Sequence, residues 1–126
     1  MPEFIAQHTP RNLDDFTQGY FEAMEWLLPE EVNRDKIRGF TNAAITNGKA
    51  DCADFMLHHS DDLLKYVKNC DHGYNGAGAD FYLSRNGHGA GFFDRGNAPV
   101  FNRLQEAAGV YGGTNEYVYR GWIYHE

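Results

Sequence analysis

Between Tyr82 and Arg95 the chain gathers side chains that acid–base or ligand chemistry would need: Ser84, Arg85, His88, Asp94 and Arg95, with Gly89 and Gly91 among them. An imidazole oriented by a carboxylate, His88 by Asp94, is the arrangement of a general base, and it requires hydrogen-bond reach. The local pattern sets that distance. Asn86-Gly87, flanked by alternating apolar residues, is the strongest short-range signal for a two-residue hairpin, because both turn positions need φ > 0. The spacing therefore predicts a β-hairpin over residues 80–94. Six extended residues at about 3.4 Å each separate His88 from Asp94 by roughly 20 Å. Only a sharp bend at Gly89 or Gly91 would bring them together.

The predicted register sets Phe81 opposite Phe92, Tyr82 opposite Gly91, Leu83 opposite Ala90 and Ser84 opposite Gly89. One face is apolar and faces the core, with Arg85 and His88 at its turn end. The other face sets Tyr82 and Ser84 against two bare glycines. Glycine inside a strand marks a bulge or a close approach by another group. Tyr82 lying over the glycines, a packed helix, or a bound ligand would each fill the trough. Tyr82, Arg85, His88, Gly89, Gly91 and Arg95 are the binding candidates there. Were the protein an enzyme, Ser84, His88, Asp94 and Arg95 would be its reactive groups.

Other patterns carry less chemistry. Cys52, His58 or His59, Cys70 and His72 do not follow a standard zinc spacing, so packed thiols are expected and no metal. The glycine-rich run at residues 70–78 follows a helix and precedes the predicted strand. That order is the reverse of a phosphate-binding loop, so it reads as a connector, and no cofactor is expected. Between Arg11 and Arg34 stand six acids and no base: Asp14, Asp15, Glu22, Glu25, Glu30 and Glu31. A solvated helix face explains them; a contact strip for a basic partner, centred on Asp15, Glu22 and Glu25, is the functional alternative.

The elements that must hold these residues follow from period and punctuation. Asn12 is a suitable cap for a helix over residues 13–28, which Pro29 ends. A second helix covers residues 41–59, with Gly48 weakening its middle and Asn47 able to start it afresh. Helices over 61–68 and 99–110 follow, the last opening at Pro99. Residues 3–7 read as an edge strand. Residues 116–119 and 122–124 alternate as strands around Arg120-Gly121, with Tyr117 and Tyr119 on one face. The expected fold is α+β: an antiparallel sheet of three or four strands, centred on the 80–94 hairpin, packed against helices 13–28, 41–59, 61–68 and 99–110. At 126 residues it is one domain, a helical N-terminal half and a hairpin-centred C-terminal half.

The formal net charge of −7 disfavours direct nucleic-acid contact. No apolar run approaches the roughly 18 residues that span a bilayer, and no signal peptide is visible, so no membrane contact and a cytoplasmic location are expected. The segment D-F-Y-L-S-R-N-G-H-G-A-G-F-F-D-R-G at residues 80–96 resembles the signature of a family of small proteins encoded by bacteriophages and plasmids, H-D-F-W-L-T-R-N-G-H-G-A-G-F-W-D-R-G. Looser similarity extends to F-T-Q-G-Y-F-E-A-M-E-W, A-D-C-A-D-F and L-Q-E-A-A-G-V-Y-G. Tyr82 and Phe93 stand where Trp is usual, and Ser84 where Thr is usual. The resemblance implies a phage or mobile-element origin. It favours an accessory protein that binds a host or phage protein complex, of which an anti-defence protein of anti-CRISPR or anti-restriction type is one form. A small enzyme or ligand-binding module on residues 82–95 is the alternative.

Overall fold

The structure is a computed structural model that describes residues 9–10, 12–29, 31–87, 90–94 and 98–126. Among the described residues, five α-helices and a three-stranded sheet make an α+β fold. Helix α1 (Asp15–Trp26) starts two residues later than Asn12 suggested. Asn12 sits at φ 62, and the cap is Asp14, whose carboxylate accepts from Thr17 N at 3.1 Å. The other end is closed by Arg34, which donates to the carbonyls of Glu25 at 2.8 Å and Leu28 at 2.9 Å.

Strand β1 (Gly39–Phe40) leads into α2 (Asn42–His58), capped by Thr41 through Ala44 N. No break occurs at Gly48. A side chain there would collide with the Phe21 ring of α1, so the glycine serves packing and not flexibility. Helix α3 (Ser60–Asn69) buries Leu63 and Tyr66 and leaves Leu64 exposed.

The 80–94 hairpin does not form. Gly73–Arg85 is one helix, α4, running through the expected connector and the first expected strand. Asn86 and Gly87 then stop it, with Gly87 at φ 69. A left-handed glycine ends a helix as well as it turns a hairpin, so the same dipeptide fits both. Helix spacing is present as well: Ala77, Phe81 and Arg85 recur four apart and are all buried. No Val, Ile or Thr occurs between Gly73 and Ala98, which removes the residues that favour strands. Beyond the stop, Phe92–Asp94 forms a 3₁₀ turn. Helix α5 (Pro99–Val110) follows as expected.

Strands β2 (Glu116–Tyr119) and β3 (Trp122–His125) form an antiparallel hairpin around Arg120 at φ 52 and Gly121 at φ 86. The strand order is β1-β3-β2, and β1 pairs with β3 in parallel. The sheet is therefore mixed and not wholly antiparallel. Four helices lie between β1 and β3 in the chain, a connection long enough for parallel pairing. The expected strand at residues 3–7 lies outside the described residues.

The core is aromatic. Phe55 stacks on Phe81 at 4.3 Å, and Phe16, Tyr20, Phe21, Tyr66 and Phe92 are buried around them. Helices α1 and α4 pack on each other with no side chain between them at two points. A Cβ at Gly19 would overlap the Asn75 carbonyl, and one at Gly78 would overlap that of Phe16. Gly78→Ala should therefore destabilise the fold by about 1–3 kcal/mol or more. Gly109, with open space around its Cα in α5, gives the opposite sign: Gly109→Ala should stabilise by about 0.5–1 kcal/mol. Urea unfolding midpoints of the two variants test the pair.

Candidate functional site

The last turn of α4 carries three of the candidate residues, and all three point inward. The Arg85 side chain is 6% exposed. It donates from Nη1 to Asp51 Oδ2 at 2.7 Å and to the Tyr20 hydroxyl at 3.0 Å, from Nε to Gly112 O at 3.0 Å, and from Nη2 to Tyr111 O at 3.2 Å. Its guanidinium carbon also lies 5.6 Å from the centres of the Phe81 and Tyr111 rings. These contacts occupy most of what a guanidinium can offer. Arg85 is a clamp that joins α4 to α1, α2 and the chain leaving α5.

The network continues through Tyr20. Its oxygen accepts from Arg85 and shares a second hydrogen bond with His125 Nε2 at 2.9 Å. His125 Nδ1 is buried without a hydrogen bond and stands 3.7 Å from Glu116 Oε1. Glu116 accepts from the Tyr82 hydroxyl and lies 2.7 Å from Thr114 Oγ1. Asn86 closes the chain, accepting from Thr114 N at 2.7 Å and donating to Tyr82 O at 3.0 Å. Burial pushes the Tyr20 and Tyr82 phenols well above their ordinary range. For Glu116, burial acts upward too, but His125, Tyr82 and Thr114 together outweigh it and hold the carboxyl below its usual value.

Ser84 Oγ donates to Gln105 Oε1 at 2.7 Å and accepts from Phe92 N at 3.1 Å. Among the described residues its proton goes to an amide oxygen and not to a base. Gly91 packs on Ser84 so closely that a Cβ would overlap the hydroxyl. This glycine lets the chain after α4 fold back; it does not face Tyr82 across a hairpin. Asp94 ends the 3₁₀ turn, and His88, Gly89 and Arg95 lie outside the described residues. A cleft of about 230 Å³ lies beside this network, lined by Asn47, Asp51, Arg85, Thr114 and His125 among others.

The acidic strip is divided. Asp15 is exposed, but Glu22 accepts from Asn75 of α4 at 2.9 Å, and Glu25 is 7% exposed. On this flank α4 reaches Glu22 through Asn75. Cys52 and Cys70 are free thiols, and burial pushes the Cys52 thiol up, so it stays protonated. No group of three or more His, Cys, Asp or Glu positioned to hold a metal occurs among the described residues.

What sequence reasoning undervalued is the outer face of the β2–β3 hairpin. Tyr117 pairs with Tyr124 and Tyr119 with Trp122. These four alternate outward while Ile123 and His125 point in. Tyr117 and Tyr124 stack at 4.7 Å, and Trp122 leans over Gly39. Tyr119, at 55% exposure, is the most open of the four and carries Arg120 at 5.3 Å from its ring. Exposed Lys36, Arg38 and Arg120 gather near the turn, where Arg38 lies against Gly121. The period-2 pattern of E-Y-V-Y and W-I-Y-H already contained this face.

Because the folded Glu116 carboxyl sits below its ordinary value near 4.5, its contribution to stability is complete above that pH. It is lost as pH falls through the lower folded value. Glu116→Gln should therefore be less stable than wild type at neutral pH, and the gap should close as pH drops below about 4.5. Urea midpoints measured from pH 7 to pH 3 check this.

Comparison with protein-family models, with curated proteins and with solved structures returned no match to this chain.

Proposed function

We propose that this chain is an accessory protein of a phage or mobile element that binds a host or phage protein complex in the bacterial cytoplasm and blocks or modulates it. An anti-defence role, of anti-CRISPR or anti-restriction type, is the specific form of this reading. The observation that carries it is the exposed face of Tyr117, Tyr119, Trp122 and Tyr124 with Arg38 and Arg120 at its end. Water-exposed aromatic surface of this extent is unfavourable to keep bare, and it marks an interaction site. Tyr, Trp and Arg are the residue types that dominate protein–protein hot spots. The phage origin rests on the resemblance of residues 80–96.

The same reasoning moves the contact away from the acidic flank of α1, where Glu22 and Glu25 are engaged by the fold itself. Tyr82, Ser84 and Arg85, three residues of the enzyme alternative, are committed to internal hydrogen bonds. Affinity capture from host lysate with tagged wild-type protein tests the proposal. The Tyr119→Ala/Trp122→Ala double variant should recover at least about tenfold less of any specific partner. Asp15→Lys should recover it undiminished. Equal capture by wild type and the double variant, with both folded by circular dichroism, removes the aromatic face as the contact.

A further inference from the structure

The β2–β3 hairpin has a second property besides its aromatic face. Asn115 and Glu126 exchange backbone hydrogen bonds at 2.9 and 3.0 Å. In an antiparallel ladder such pairs alternate, so Tyr117 and Tyr119 turn their backbone groups toward β3. Glu116 and Val118 turn theirs the other way, to the outer edge of the sheet. Among the described residues no strand pairs with that edge. Open edges are templates for another chain, and proteins normally blunt them with Pro, Lys or a bulge. The E-Y-V-Y strand has none of these, and its register with β3 is unbroken. The opposite edge, β1, is only two residues long.

We infer that β2 is a docking strand, and that an extended segment of the partner protein joins the sheet along it. This deepens the protein-binding reading above and rests on it. Such a segment sends alternate side chains to opposite faces. One set lies beside Tyr117 and Tyr119. On the inner face, the side chain beside Val118 meets a recess of about 340 Å³ lined by Glu31, Val32, Asn33, Lys36, Val118 and Gly121. Val32 and Val118 suit an aliphatic group. Lys36, Arg38 and Arg120 outnumber Glu31 at the turn end, so the segment carries a carboxylate there. The partner is thus an acidic, alternately apolar peptide segment.

Val118→Pro tests the pairing with little other disturbance. Its N–H points outward, so proline removes an edge donor without touching the β2–β3 ladder. Val118→Thr keeps that N–H and serves as the control. A library of displayed linear decapeptides selected on wild-type protein should enrich alternating apolar sequences with Asp or Glu near one end. Those peptides should bind Val118→Pro at least tenfold more weakly and Val118→Thr nearly as well as wild type. Hydrogen exchange at the Glu116 and Val118 amides of the wild-type protein should slow at least tenfold when a selected peptide is added. That readout stands even if the proline variant fails to fold. No enrichment, equal binding to Val118→Pro, or unslowed exchange overturns the inference. So does a wild-type dimer that Val118→Pro converts to monomer, because the edge would then be taken by a second copy. If Tyr119→Ala/Trp122→Ala loses the partner while Val118→Pro keeps it, the aromatic face stands and the strand pairing falls.

Discussion

Helices α1 and α4 touch backbone to backbone, and the rest of the molecule is arranged on that contact. Gly19 lies against the Asn75 carbonyl and Gly78 against the Phe16 carbonyl, each leaving no room for a methyl group. The two positions are reciprocal: each helix contributes one bare Cα and one carbonyl. With the axes this close, Phe16 and Tyr20 reach the Phe81 ring directly, at 5.9 and 5.4 Å between centres. Phe55 of α2 then closes the cluster from the other side. Interiors packed to this density fix geometry as well as supplying stability.

The same contact delivers Arg85 into the interior. A buried guanidinium is a poor stabiliser in net terms, because desolvation offsets most of the attraction. It is demanding, however, about where its acceptors stand. Tyr20, Asp51 and the adjacent pair Tyr111-Gly112 come from three different parts of the chain, and the guanidinium holds all of them. Through Tyr20 and His125 the demand is passed on to the sheet. The helical and strand halves are therefore one cooperative unit, joined by polar contacts as well as by the aromatic core.

Much of this was legible in the residues. Helices α1, α2, α3 and α5 begin and end within about two residues of their punctuation, and the β2–β3 hairpin lies where alternation put it. Helix α4 was not legible by the same rules. Its glycines read as looseness, yet Gly78 is a contact point and Gly87 a helix stop. Phe81 and Leu83 alternate as a strand would, while Phe81 and Arg85 recur as a helix would, and one short segment cannot separate the two periods. The missing β-branched residues were the available clue. Misplacing α4 carried through to the site. Tyr82, Ser84 and Arg85 were singled out as site candidates, but their partners, Glu116, Gln105 and Asp51, are distant in sequence and are set by tertiary packing. The acidic flank of α1 is divided for the same reason: Asn75, distant in sequence, holds Glu22.

The Tyr20–His125 hydrogen bond spans 105 residues. At translation rates of about 5–20 residues per second, roughly 5–20 s pass between the emergence of one partner and that of the other. For the first part of that interval α1 has neither α4 nor β3 to cover its apolar stripe, and β3 arrives only at its end. Packing of α1 on α4 can precede the sheet, but the hydrogen bond to His125 closes only once the β2–β3 hairpin has been made. Messages for this protein that are cut short upstream of residue 116 would release sticky helices without the sheet that completes them.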